Sequence, residues 1–302
     1  MRQSKSNRVR DSFEDQVFNA VNVLIMLIVL IIVLYPLYFI VIASFSDPTL
    51  VNSGQVLLFP KGITLEGYQR MFRNGELWLG YANSLFYMVA GTVLSLCMTI
   101  PAAFALAYKH TRCKGFFTVL FTITMMFSGG MIPTYLVVKG LGWLNTRWIL
   151  VINGGFTAYN LVVSRTFMQS IPSEVLEAAD IDGASVMQTF FRVVLPLSKA
   201  IIAVMALFYG IARWNDYFTA LIYVSKEEYV PLQMVLRRIL IQTTTVASAA
   251  SSNDPEGQAL LARISELMKY CVIIAASLPA MLIYPFVQKH FVKGVMLGAV
   301  KG

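Results

Sequence analysis

The sequence predicts an all-α membrane protein with six transmembrane helices and a two-helix loop between the fourth and fifth. Three observations point there. Of 302 residues, 57% are hydrophobic and 13% charged, where soluble domains average roughly 45–50% and about 25%; mean hydropathy is +0.65. Six apolar runs, 17–44, 82–108, 115–138, 148–169, 198–224 and 270–291, each approach the roughly 20 residues that cross a bilayer. A charged, helix-forming stretch, EVLEAADIDGASVMQTFFRVVLPL from Glu174 to Leu197, stands between the fourth and fifth runs.

Residues 1–16 are polar with a basic excess and form an N-terminal tail. The first run is longer than the roughly 7–15 apolar residues of a signal peptide and lacks a small-residue cleavage site, so it reads as an uncleaved anchor. Turn signals follow at Ser46–Pro48 and Phe59–Gly62. The third run contains SGGMIP, Ser128–Pro133. Such a break is tolerated at membrane depth where protein or a water-lined cavity satisfies the backbone, as a packing kink or as part of a pathway. The longest connection, 225–269, contains the low-complexity segment Thr243–Gln258, which reads as a flexible tip. Residues 292–302 form a C-terminal tail.

Basic residues set the orientation. Arg2, Lys5, Arg8 and Arg10, then Lys109, Arg112 and Lys114, then Lys289, Lys293 and Lys301 fall on one side. Both termini are therefore expected in the cytoplasm, as is the two-helix loop, and the 225–269 connection outside. The net charge of +8 reflects this asymmetry rather than a nucleic-acid partner. Three scattered cysteines form neither a disulfide framework nor a metal site. With two histidines, no H-E-x-x-H and no G-x-x-x-x-G-K-[ST] phosphate loop, no catalytic residue, metal or cofactor site is expected on this chain.

In the loop, Ser173 is placed to cap a helix from Glu174, with Glu174 and Glu177 at its positive end. Val175, Leu176, Ala179 and Ile181 supply apolar contacts. Gly183 falls where a helix ends in a left-handed residue. Ser185 and Gln188 form a capping box for a second helix, whose apolar face is Val186, Phe190, Phe191 and Val194. Leu195-Pro196 ends it. The polar residues of the first helix are Glu174, Glu177, Asp180 and Asp182. Interfacial helices favour Lys and Arg, so this acidic knob points to a basic protein cleft rather than to lipid.

Glu177-Ala178-Ala179, three residues, Gly183, nine residues, then Val193-x-Leu195-Pro196 resembles the EAA signature of permease subunits of ABC importers, with Val193 in place of Ile. The resemblance covers nearly the whole chain and is to the sugar-importing branch, near the maltose-type second permease and the complex-polysaccharide importers. Phe127–Gly142, Trp214–Val224 and Phe291–Gly302 also carry it. It implies a permease body over 17–291 in a bacterial cytoplasmic membrane, pairing with a second homologous permease, two ATPase subunits that bind ATP and Mg, and an extracytoplasmic sugar-binding protein. It implies that the loop, 173–196, couples to the ATPase through Glu177, Ala178, Ala179, Asp180, Gly183, Leu195 and Pro196. By the same resemblance Lys301 and Gly302 reach the ATPase, the 225–269 loop touches the binding protein, and the cargo is an oligosaccharide or polysaccharide fragment.

Charged residues inside apolar spans are costly, roughly 2.5–3.5 kcal/mol at a helix centre on insertion scales. Arg213 and Asp216 are three apart and can pair on one helix face. With Trp214, Asn215 and Asn160 they form a candidate translocation path, or else a self-satisfied pair that orients the fifth span. An ATPase-independent secondary transporter or channel is the rival reading, but leaves an acidic knob without a use. A membrane-embedded enzyme would need clustered nucleophiles or acids at membrane depth, which the spans lack.

Overall fold

The structure, a computed structural model, describes residues 12–248, 263 and 266–282. Every regular element among them is helical. The fold is arranged along α4, Gly75–Ala107, about 50 Å long at 1.5 Å per residue. Asn74 caps it, its Oδ1 accepting from the N–H groups of Glu76 and Leu77 at 2.9 and 3.4 Å. Gly80, Ser84, Gly91, Ser95 and Thr99 are buried along one side, small enough to let neighbouring helices approach closely. Thr99 Oγ1 meets Tyr209 OH of α12 (Lys199–Trp214) at 2.7 Å.

Before α4 come α1 (Phe13–Ser44), α2 (Pro48–Asn52) and α3 (Glu66–Arg73). The capping box of Ser12 and Asp15 starts α1. Its apolar residues from Val17 to Leu37 are largely exposed, and only Ile42, Ala43 and Ser44 are buried. A helix apolar all round suits a lipid surround.

α1 and α4 are each long and apolar enough to cross a membrane. The third, fourth and fifth expected spans are interrupted. The third is divided into α5 (Lys114–Met126) and α6 (Met131–Gly140), which meet at 113°. Gly130 has φ +84° and cannot continue a right-handed helix. Pro133 falls in the first turn of α6, where an N–H would have no helical acceptor. The fourth is divided into α7 (Arg147–Ile152) and α8 (Ala158–Gln169). The fifth ends at Trp214 and resumes as α13, Phe218–Tyr223. Of the sixth, residues 266–282 are helical, here α15; 283–291 lie outside the described residues.

The 225–269 connection is not mainly loop. Its first half is a 3-10 turn, Glu227–Tyr229, and α14, Leu232–Ser248. Leu232, Val235 and Leu236 pack with Leu77, Trp214 and Val272 in a core at the N-terminal end of α4. Asn83, Ser84 and Tyr87 of α4 fasten this segment: Asn83 Nδ2 donates to Glu228 O and Val230 O, Tyr87 OH to Tyr229 O, and Leu232 N–H to Ser84 Oγ. The remainder of the expected flexible tip, 249–258, and the tail 292–302 with Lys301 and Gly302 lie outside the described residues.

A second core sits at the opposite end of α4. There Ile100, Ala103, Phe104 and Tyr108 pack against Leu161 and Met168 of α8 and against Phe190 and Val194 of the two-helix loop.

Candidate functional site

The loop begins with α9, Ser173–Ile181. Pro172, not Ser173, is the N-cap and gives no side-chain cap bond; the fixed φ of proline sets the entry, and Ser173 falls inside the first turn. α9 closes at Gly183, φ +73°. Gly183 N–H donates to Asp180 O at 3.1 Å and Ala184 N–H to Ala179 O at 3.0 Å. These are the two bonds of a Schellman motif, which satisfies the last carbonyls of the helix. Ser185 then opens α10 (Val186–Gln188) with the expected capping box: Ser185 N–H donates to Gln188 Oε1 at 2.8 Å, and Gln188 N–H to Ser185 Oγ at 3.3 Å.

Leu195-Pro196 does not end the second helix. A π segment, Thr189–Val194, follows α10 and runs into α11, Leu195–Leu197. Pro196 has no N–H for the carbonyl four residues back, and its ring crowds that carbonyl; a wider turn just before it accommodates both. The break comes at Ser198, where Val186–Leu197 meets α12 at 78°.

One side of this knob is anchored. Phe190 lies 5.2 Å from Phe104, ring to ring, and Ala179 and Val194 are buried. The connection after α4 braces α9 directly. Tyr108 OH donates to Asp180 Oδ1 at 3.3 Å, His110 Nε2 stands 3.8 Å from Asp180 Oδ2, and Lys109 Nζ stands 3.9 Å from Glu177 Oε1. The Lys109–Glu177 pair is exposed and weak, leaving Glu177 reachable.

The other side is bare. Glu174, Glu177, Ala178, Asp180 and Asp182 are exposed. So are Ile181 at 86%, Val186 and Met187. Ile181 is thus no packing residue of this chain but part of an apolar tip beside Gly183, rimmed by carboxylates. Sequence reasoning missed the tip and the Tyr108–His110 brace; nothing in the local pattern distinguishes an apolar residue that packs at home from one left bare.

The five candidate pathway residues do not converge. Arg213 makes no ion pair with Asp216 among the described residues. Arg213 is 7% exposed, and its guanidinium donates through Nη1 to Leu150 O at 2.9 Å and to Asn153 O. Those carbonyls stand at the C-terminal end of α7, where the broken fourth span leaves them without helical donors. The attraction of the helix C-terminus for a cation adds to the bonds. A Cβ at Gly91 would come 2.8 Å from Arg213 Nε, so Gly91 admits this side chain beside α4. Asp216 Oδ1 accepts from Thr219 N–H at 3.0 Å and caps α13. Asn160 is buried in the first turn of α8. Trp214 donates through Nε1 to Ala276 O at 3.0 Å. Trp214 and Asn215, among the described residues, line a common cavity.

Residues 77–297 match the family described as binding-protein-dependent transport system inner membrane component. The chain is 38% identical to the protein LplC of Bacillus subtilis, over 95% of this chain and 96% of that one. It is 36% identical to the polygalacturonan/rhamnogalacturonan transport system permease protein YtcP of the same organism, over 88% and 92%. It also superposes, with a TM-score of 0.83 and 33% identity over 94% of this chain and 99% of the other, on a chain from the crystal structure of a bacterial ABC transporter involved in the import of the acidic polysaccharide alginate.

Proposed function

The chain belongs to this family of inner membrane components of binding-protein-dependent transport systems, and on that premise we propose that it imports oligosaccharides or polysaccharide fragments as one of two homologous permeases. The names of its relatives support the cargo class. Six spans over 17–291 place both termini in the cytoplasm and the 225–269 connection outside, facing the binding protein. Two ATPase subunits bind ATP and Mg and close on the cytoplasmic side, and the tail with Lys301 and Gly302 reaches toward them. The pair of permeases alternates between outward- and inward-facing arrangements, and the ATPase biases that equilibrium through the knob.

The observation that carries this reading is the shape and charge of the knob. A Schellman-closed acidic helix presents Glu177 and the bare Ile181 to a partner, while its back is locked into the core at the end of α4. Hydrophobic contact with a charged rim is the pattern of a protein interface.

Glu177→Arg and Gly183→Val test it. Against a basic cleft the first creates like-charge contact, worth several kcal/mol. The second forces a β-branched residue to positive φ, about 1–2 kcal/mol of backbone strain, with no internal clash because a Cβ there meets nothing within 4 Å. Both variants should insert and pair with the second permease. Both should lose the ATPase on purification, or keep it with hydrolysis no longer responsive to loaded binding protein. Glu14→Arg, exposed at the start of α1, serves as control and should behave as wild type. Normal coupled transport in both knob variants would rule the knob out as the coupling element.

A further inference from the structure

A cavity of about 660 Å³ opens between the end of α12, α14 and α15. Pockets for small ligands span roughly 300–1,000 Å³. Its polar lining is Asn215, Tyr217, Gln233, Arg237 and Ser277, with Trp214 beside them. Among the described residues of this lining Arg237 is the cation, and none is a carboxylate.

The two neighbouring arginines of α14 differ sharply. Arg238 is bound to Glu227, whose carboxyl is held below its usual pKa chiefly by that hydrogen bond. Arg237 has no ion pair and no hydrogen bond among the described residues; its guanidinium lies over the Tyr217 ring, 5.7 Å from the centroid. Stacking on an aromatic face holds the planar fork and leaves its N–H edge free. That edge is the group suited to bidentate binding of a carboxylate. The amides of Asn215 and Gln233 can both donate and accept beside it, as vicinal hydroxyls require. The Trp214 and Tyr217 rings add flat apolar surface.

We propose that this cavity is a binding site for a carboxylate-bearing sugar, with Arg237 as the residue that selects uronides over neutral oligosaccharides. The proposal rests on the reading of the chain as a saccharide permease and adds the charge of its cargo and the residue that reads it. Arg237 binds the carboxylate, Asn215 and Gln233 bind ring hydroxyls, and Tyr217 holds the guanidinium in place.

The test uses the complete transporter, with its second permease, ATPase and binding protein, in proteoliposomes. Uptake is measured for a galacturonate trisaccharide and for the neutral galactose trisaccharide of the same linkage. Wild type should import the uronide at least about tenfold faster. Arg237→Gln should lose about tenfold or more of uronide uptake, Arg237→Lys should recover part of it, and Arg238→Gln should stay within about twofold. Preferential import of the neutral sugar by wild type would overturn the proposal while leaving the permease reading intact. So would unchanged uronide uptake by Arg237→Gln. Loss of the assembled complex in Arg237→Gln and Arg237→Lys alike would assign the cation to subunit packing and overturn it too. If wild type imports neither sugar and its ATPase responds to neither loaded binding protein, the permease reading falls, and this proposal with it.

Discussion

Arg213 shows how one side chain can decide the meaning of a broken span. Its position three residues before Asp216 predicts an ion pair; the structure gives it carbonyls instead. Backbone groups at a helix break cannot turn to water at membrane depth, and a guanidinium with five donors can serve several at once. Arg213→Ala should therefore strip one buried and one part-buried carbonyl of their donor. Hydrogen bonds from charged groups contribute about 1.5–3 kcal/mol each, so a loss of about 3–6 kcal/mol is expected, read as a lower thermal denaturation midpoint of the purified complex. Arg213→Lys should fall between, because an ammonium cannot reproduce the fork. Asp216→Asn keeps the oxygen that accepts from Thr219 N–H and should change stability by less than about 0.5 kcal/mol. A loss in Asp216→Asn equal to that in Arg213→Ala would restore the ion pair.

At the scale of elements, the coupling we propose would pass from a docking event to the longest helix through the brace between the knob and the end of α4. The Phe190 and Phe104 rings lie in contact, and Tyr108 OH ties the end of α4 to Asp180 of α9. Tyr108→Phe removes a hydrogen bond worth about 1 kcal/mol. It should lower coupled transport about fivefold with the ATPase still bound, whereas equal loss of ATPase binding would make Tyr108 part of the docking face. Gly183 and the Ser185–Gln188 capping box were legible in the sequence because each depends on one residue type at one offset. The π segment was not, since its cause is Pro196, and a proline after a helical pattern reads first as a stop. α14 sits where a loop is the natural expectation, yet Leu232, Val235, Leu236 and Ile239 follow the i, i+3, i+4, i+7 spacing that could have found it. The divisions within the third, fourth and fifth spans were partly hidden, because hydropathy reports the length of an apolar run and not its direction. SGGMIP announced its break, and Asn153-Gly154-Gly155, a turn signal between α7 and α8, could have announced that of the fourth. For the site, the knob was readable, but the separation of the five pathway residues is a tertiary fact that no spacing encodes.

For the whole molecule, α4 supplies the axis against which orientation can be tested. Its ends lie about 50 Å apart. The loop after α1 stands at one end, through α3 and the core of Leu77 and Trp214; the knob and Cys113 stand at the other. Cys113 is exposed and Cys271 is buried, its thiol 3.5 Å from Ser44 O. Cys97 is exposed on the flank of α4, at membrane depth, where a charged reagent does not enter. An impermeant maleimide thus has one native target. In sealed right-side-out vesicles Cys113 should not react, while Ser53→Cys, at an exposed residue of the opposite end, should. Inside-out vesicles should exchange the two results. The basic residues around Cys113, Lys109, Arg112 and Lys114, favour that arrangement by charge, and the proposed coupling requires the acidic knob beside them to share a compartment with the ATPase. Labelling of Cys113 from outside would place the knob on the wrong face of the membrane and remove the coupling mechanism together with the orientation, although the helical fold around α4 would stand.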